Sequence, residues 1–189
     1  FGELPDFDFG EYTFLSCYTP NASGDGMEHR NSTMVTNRKP LDEPLAETSI
    51  STVSHEFFHA WNVERIRPAS LEPFNFEEAN MSGELWFAEG FTSYYSGLVL
   101  VRAGIWTEQE YIGRLAGSIN YVYNSPGIKF SNAIEMSYKA PFVDAATSID
   151  PTNNRNTFVS YYTYGSVLGL ALDLSLRTQG ADLNLDDFF

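Results

Sequence analysis

Hydrophobic and polar positions alternate with a period of two near the start of the chain and then change to a helical period. Short alternating runs at 12–18 and 32–36, separated by the turn-rich segment 20–26, predict a small sheet. From about Thr48 the apolar positions recur every three or four residues, which predicts a long helix ending at Asn62 or Val63. The apolar positions of that helix are Ile50, Val53, Phe57, Phe58 and Trp61.

Further helices are predicted downstream of a polar, proline-containing connection. Their expected spans are 86–103, 107–124 and 162–178. Thr107 and Glu110 have the spacing of a capping box, and Gly104 is well placed just past the end of a helix. The stretch 128–156 has no single pattern. A sheet followed by helices predicts an α+β fold.

Composition fits one globular domain without a membrane span. The 189 residues are 43% hydrophobic, and no apolar run approaches the ~18 residues that a span requires. The net charge of −14 repels phosphate backbones and anionic lipid surfaces, so nucleic acid is not an expected partner. The lack of such an apolar run predicts a soluble chain. Because the chain begins with Phe1 and not with Met, we expect a fragment or a processed product, whose compartment cannot be read from the sequence.

The cysteine content limits the chemistry that a metal site could use. Cys17 is the single cysteine, which excludes an internal disulfide and a thiolate-rich cage. Any bound metal must therefore be held by histidines and carboxylates.

The segment His55-Glu56-Phe57-Phe58-His59 is the strongest chemical signal in the sequence. On a helix, positions i and i+4 share a face, so two imidazoles can bind one ion while Glu56 reaches a water beside it. With this content of His and Glu, about 0.004 chance occurrences of the motif are expected. Zinc takes imidazole and carboxylate ligands, and a catalytic site uses three protein ligands and a water.

No histidine follows His59, so a downstream carboxylate must supply the third ligand. The candidates are Glu72, Glu77, Glu78, Glu84 and Glu89. Glu89 is preferred, because it is a lone acid at the start of an otherwise apolar helix, where an unpaired charge is costly to bury. The alternative is that Glu89 only favours the helix dipole.

Several segments together resemble the glycyl aminopeptidase family, gluzincin zinc peptidases related to aminopeptidase N. The resemblance rests on SHEFFHAWNVERIRP (54–68), LWFAEGFTSYYSGLVLVRAG (85–104), GMEHRNST (26–33) and SYYTYGSVLGLALDLSLR (160–177). It implies a thermolysin-like catalytic domain covering 1–189, in which a small sheet precedes a mostly helical part. The β-rich region and the PDZ domain that usually flank this domain are not among these residues.

Carried over residue by residue, the resemblance implies roles for six side chains. It implies that His55, His59 and Glu89 bind Zn²⁺, that Glu56 is the general base, that Tyr162 stabilises the transition state and that Glu28 binds the substrate amine. The sequence departs from the family pattern at Asp25, at Tyr164 and in the longer spacer from His59 to Glu89.

The resulting prediction is a zinc aminopeptidase that removes small N-terminal residues, such as Gly or Ala, from peptides with a free N-terminus. A zinc-activated water attacks the peptide bond, with Glu56 as general base. One alternative is a zinc endopeptidase with the same chemistry, in which Glu28 does not bind a substrate amine. The other is an inactive peptide-binding module with structural zinc, although such a site has no use for the base Glu56.

Overall fold

The structure is a computed structural model that describes residues 2–40, 43–143, 151–180 and 183–189. Within these ranges the fold is α+β, with three short strands followed by a mostly helical part, as the sequence predicted. The Cα atoms cluster into two compact units. Unit 1 comprises Phe1–Ile66 and Tyr95–Trp106, and unit 2 comprises Arg67–Tyr94 and Thr107–Phe189.

Unit 1 contains a sheet of strands β1 (Thr13–Tyr18), β2 (Asp25–His29) and β3 (Ser32–Asn37) in the order β1-β3-β2. β1 is parallel to β3, and β2 is antiparallel to it. The two predicted strands are confirmed, whereas β2 was missed because part of it lies in the segment that the sequence assigned to a turn.

Helix α1 (Glu43–Phe58) packs on β2 and β3. It begins one turn earlier than predicted and its regular part ends earlier, at Phe58. Beyond Phe58 the chain keeps turning through irregular hydrogen bonds, including Ala60 N to Phe57 O (3.0 Å) and Glu64 N to His59 O (2.9 Å). Phe58 stacks on Tyr95 with ring centroids 4.6 Å apart, which anchors the end of α1 inside the unit.

The long helices agree closely with their predicted bounds. They are α2 (Leu85–Arg102), α3 (Glu108–Asn124) and, near the end of the chain, α7 (Tyr161–Gln179). The capping box of Thr107 and Glu110 is present, and Gly104 has a φ of +71° just after α2. None of the described helices is long and apolar enough to cross a bilayer.

The stretch without a clear pattern contains three short helices. They are α4 (Ala133–Tyr138), α5 (Ala140–Val143) and α6 (Pro151–Thr157), and residues 144–150 lie outside the described part of the chain. Short helices carry little periodicity, which is why the sequence did not reveal them. One cluster of buried residues in unit 2 packs in and around this region. It consists of Val122, Met136, Ala140, Val159 and Tyr161.

Asp173 is a buried carboxylate that ties the last residues of unit 2 to α7. It accepts hydrogen bonds from Leu185 N (2.8 Å), Tyr94 Oη (2.7 Å) and Arg177 Nε (3.0 Å). Burial by itself raises the pKa of Asp173, but these donors together outweigh burial and hold the pKa below its usual value.

Within unit 2, α2 and α7 approach so closely that their backbones touch. The contact is made by Gly90 and Gly165, and a Cβ built on Gly165 would lie 2.7 Å from the carbonyl carbon of Trp86 and 2.8 Å from Gly90 Cα. Because both neighbours are backbone atoms, no side chain can move aside. Glycine is therefore required for this helix crossing.

We expect Gly165→Ala to destabilise the protein by about 1–3 kcal/mol, because an added methyl group overpacks a backbone contact. Gly113→Ala is the matched control: Gly113 is exposed inside α3, and an added Cβ there meets nothing within 4 Å. Alanine at this helix position should stabilise by about 0.5–1 kcal/mol. Urea unfolding measures both, and equal effects would contradict the close crossing.

Candidate functional site

The two histidines of the sequence motif converge at the end of α1 in unit 1. The Nε2 atoms of His55 and His59 lie 3.1 Å apart, and the two rings are nearly perpendicular. His59 Nδ1 lies 2.7 Å from the carbonyl oxygen of Asn62, which can only accept a hydrogen bond. His59 must therefore carry its proton on Nδ1, which leaves the Nε2 lone pair directed towards His55.

This arrangement fits a tetrahedral metal ion. Two zinc–nitrogen bonds of about 2.0–2.1 Å at a tetrahedral angle separate the nitrogen atoms by about 3.3 Å, close to the distance observed here. A hydrogen bond from the second ring nitrogen to a backbone carbonyl is the usual way in which proteins orient a histidine ligand. His59 is 1% exposed and His55 is half-buried, so a bound ion would be largely shielded from water.

Two of the predicted acids lie close to His59. Ligand atoms of Glu28, Glu56 and His59 are all within 4.8 Å of one another. Glu56 is 6% exposed on α1, and Glu28 is half-buried on β2. Unit 1 thus brings together four of the six site residues that the sequence predicted.

Gly26 and Glu28 share one face of β2 because strand side chains alternate. Gly26 pairs with Val35 and Glu28 pairs with Thr33, and both of these β3 residues are buried. The same alternation turns His29, which is exposed, to the other face. The spacing Gly-x-Glu therefore directs both residues towards the side of the sheet on which α1 packs.

Tyr12 is a neighbour of this acidic cluster that sequence reasoning missed. Its ring packs against Phe7, Phe14 and Phe57. Burial raises the pKa of Tyr12, and the charges of Glu56, Glu64 and Glu28 raise it further, so the hydroxyl stays protonated at neutral pH. An aromatic residue before a strand is ordinarily part of a core, so the sequence carried no signal for this position.

Unit 2 carries Glu89, the preferred third ligand, on α2. Glu89 is half-buried, whereas the other four candidate acids are exposed. Two of those four are also engaged elsewhere: Glu84 accepts hydrogen bonds from Ser70 (2.7 Å) and Ser82 (2.8 Å), and Glu72 pairs with Arg67 at 3.1 Å. Among the five candidates, Glu89 alone has the shielding from water that metal ligands usually have.

Unit 2 also carries Tyr162, in the first turn of α7. Its side chain is 38% exposed and stacks on Tyr161 with ring centroids 5.0 Å apart. Glu89 directly precedes Gly90, and Tyr162 lies one turn before Gly165. The close crossing of α2 and α7 therefore fixes the helix segments that carry both residues.

The comparisons with known proteins agree with one another. Residues 48–168 match the model of the family described as M61 glycyl aminopeptidase. A solved structure of an aminopeptidase N family protein from Idiomarina loihiensis matches with a TM-score of 0.77 and 30% sequence identity. The match covers 92% of this chain and 30% of that chain. No curated protein matches this chain.

We expect His55→Ala and His59→Ala each to weaken zinc binding by more than about 100-fold, which is the most that loss of an outer-shell partner costs. His29→Ala is the matched control, because His29 is the remaining histidine and faces away from the site. Elemental analysis after dialysis against limiting chelator measures the bound zinc. Equal retention by all three variants would contradict a site at the two converging imidazoles.

Proposed function

Because this chain belongs to the M61 glycyl aminopeptidase family, we propose that it is the catalytic part of a zinc aminopeptidase of gluzincin type. The proposed reaction removes N-terminal residues, of the small Gly or Ala type, from peptides. The observation that carries the proposal is the cluster in unit 1, where two imidazole nitrogens lie 3.1 Å apart and two carboxylates lie close to one of the two histidines, His59.

The two histidines provide two of the ligands that zinc requires. Bound there, zinc supplies a Lewis acid that polarises the scissile carbonyl and acidifies a water molecule. Glu56 takes the proton of the attacking water and delivers it to the departing amine, which is the role of a general acid–base residue. Its burial supports this role, because it keeps the carboxylate in one place beside the histidines.

Glu28 gives the proposed preference for a free N-terminus. Its carboxylate lies on β2, the strand at the edge of the sheet, and within 4.8 Å of ligand atoms on Glu56 and His59. A negative charge at this distance from Glu56 can pair with the α-ammonium group of a substrate. An internal peptide bond has no such cation, so Glu28 would select N-terminal cleavage.

Glu89 and Tyr162 complete the proposed machinery from unit 2. We assign Glu89 as the third zinc ligand, supported by its half-burial on an apolar helix and by the family segment in which it lies. We assign the Tyr162 hydroxyl as a donor to the carbonyl oxygen, where charge develops during attack. Both residues lie on helices whose crossing is fixed by glycine contacts.

We further propose that residues 1–189 act as one catalytic domain, although they form two compact units. The family match supports this, because residues 48–168 include parts of both units. The chain spans about 30% of the length of its solved relative, so the activity proposed here is that of the intact protein.

The decisive experiment compares a free-amine peptide amide with its N-acetylated twin in the intact, zinc-loaded protein. We expect cleavage of the free-amine substrate only.

Glu56→Gln should lower kcat by about 10²–10⁴-fold with zinc retained, because it removes the base but no ligand. Glu28→Gln should lower kcat/KM about 10- to 100-fold, since it removes a charged partner of the amine.

Glu11→Gln serves as the control in the same experiment, because Glu11 is an exposed acid outside the cluster. Equal cleavage of both substrates would contradict the proposed aminopeptidase activity and would indicate a zinc endopeptidase. Zinc binding without cleavage of either substrate would indicate a peptide-binding module.

The third ligand is tested separately by replacing acids one at a time. We expect Glu89→Ala to release zinc during dialysis, because a site with two histidines alone holds the ion much more weakly. Glu78→Ala is the matched control, since Glu78 is an exposed acid in the connection before α2. Elemental analysis of bound zinc distinguishes the two variants. Zinc loss from Glu78→Ala and not from Glu89→Ala would contradict the assignment of Glu89 and indicate that the third ligand lies in the connection before α2.

A further inference from the structure

Gly26 on β2 lies against the side chain of Glu56 on α1. A Cβ built on Gly26 would lie 2.7 Å from Glu56 Cγ and closer still to Cδ and the carboxylate oxygen Oε1. No real Cβ can approach other atoms so closely. The space that a side chain at position 26 would occupy is therefore filled by the side chain of Glu56.

This contact involves the far end of the Glu56 side chain rather than its backbone. Glu56 could make room for a methyl group by rotating its side chain, so the fold would survive a small substitution at position 26. The carboxylate, however, would leave its present place. Glu56 is 6% exposed, and the packing around it offers few alternative positions.

We propose that Gly26 is a positioning residue, whose lack of a side chain lets β2 define the place of the Glu56 carboxylate. The inference rests on the proposed function of Glu56 and adds the element that holds this group. Glu28 follows on the same face of β2, so one strand presents the amine-binding acid and supports the base. β2 thus carries one of the two carboxylates and limits where the other, which α1 carries, can lie.

The mechanism of the effect follows from geometry. General-base catalysis requires the base within about 3 Å of the atom whose proton it accepts. A displacement of about 1 Å at a reacting group can cost about 10²-fold in rate. A methyl group at position 26 should therefore act on kcat, whereas the histidines that bind zinc stay in place.

The test uses Gly26→Ala in the intact, zinc-loaded protein, with Gly24→Ala as the matched control. A Cβ on Gly24 meets nothing within 4 Å, and Gly24 lies just before β2. We expect Gly26→Ala to retain zinc and to lower kcat about 10²-fold with little change in KM, and Gly24→Ala to behave as wild type. A folded, zinc-loaded Gly26→Ala with wild-type kcat would overturn the proposal.

A second measurement separates positioning from a general packing defect and does not depend on activity. Thermal unfolding is measured for Gly26→Ala, for Glu56→Ala and for the double variant. We expect Gly26→Ala to lower Tm by itself and to have no effect in the Glu56→Ala background, because the colliding side chain is then absent. If the double variant shows the same decrease in Tm, the added methyl group collides with a group other than the Glu56 side chain, and the inference is overturned.

The two measurements also separate this inference from the proposed function. If the wild type cleaves no peptide but the decrease in Tm caused by Gly26→Ala disappears in the Glu56→Ala background, the proposed function is wrong and the contact between Gly26 and Glu56 is confirmed. If the wild type is an aminopeptidase and Gly26→Ala retains full kcat, the function stands and the inference fails. If Gly26→Ala does not fold, folding of the double variant identifies Glu56 as the cause, and failure of both overturns the proposal.

Discussion

The candidate site depends on two imidazole nitrogens that a short stretch of chain holds 3.1 Å apart. The hydrogen bond of His59 to the Asn62 carbonyl fixes the proton on Nδ1 and leaves a lone pair facing His55. Asn62 lies in the irregular turn just after α1, so the turn that ends the helix also orients the imidazole of His59. Under the proposed function, these two nitrogens bind one cation together.

Glycine contacts support the functional segments in both units. In unit 1, Gly26 leaves room for the Glu56 carboxylate, and in unit 2, Gly90 and Gly165 allow α2 and α7 to touch next to Glu89 and Tyr162. In unit 1 the contact limits where the Glu56 side chain can lie, and in unit 2 it fixes the backbone of the segments next to Glu89 and Tyr162. A well-packed interior transmits small displacements, so a single methyl group can alter a site without unfolding the chain.

The charge balance is consistent with this arrangement. A chain with a net charge of −14 places two of its 25 acidic residues, Glu28 and Glu56, close to each other in a partly shielded place. Their mutual repulsion disfavours the cluster unless cations offset it. A metal ion at the histidines and the ammonium group of a substrate at Glu28 are the two cations that the proposed reaction would bring there. Under the proposed function, two like charges in one place favour the binding of positively charged groups there.

The sequence by itself determined the motif of His55, Glu56 and His59, the long helices and the capping box, because their signals are local. Helical spacing places i and i+4 on one face whatever the rest of the chain does, and caps depend on neighbouring backbone groups. Only the tertiary structure decided that β2 is a strand, that Gly26 packs against Glu56 and that Tyr12 lies beside the acids. These facts depend on pairing and packing between distant segments, and no local pattern in the sequence records which segments meet.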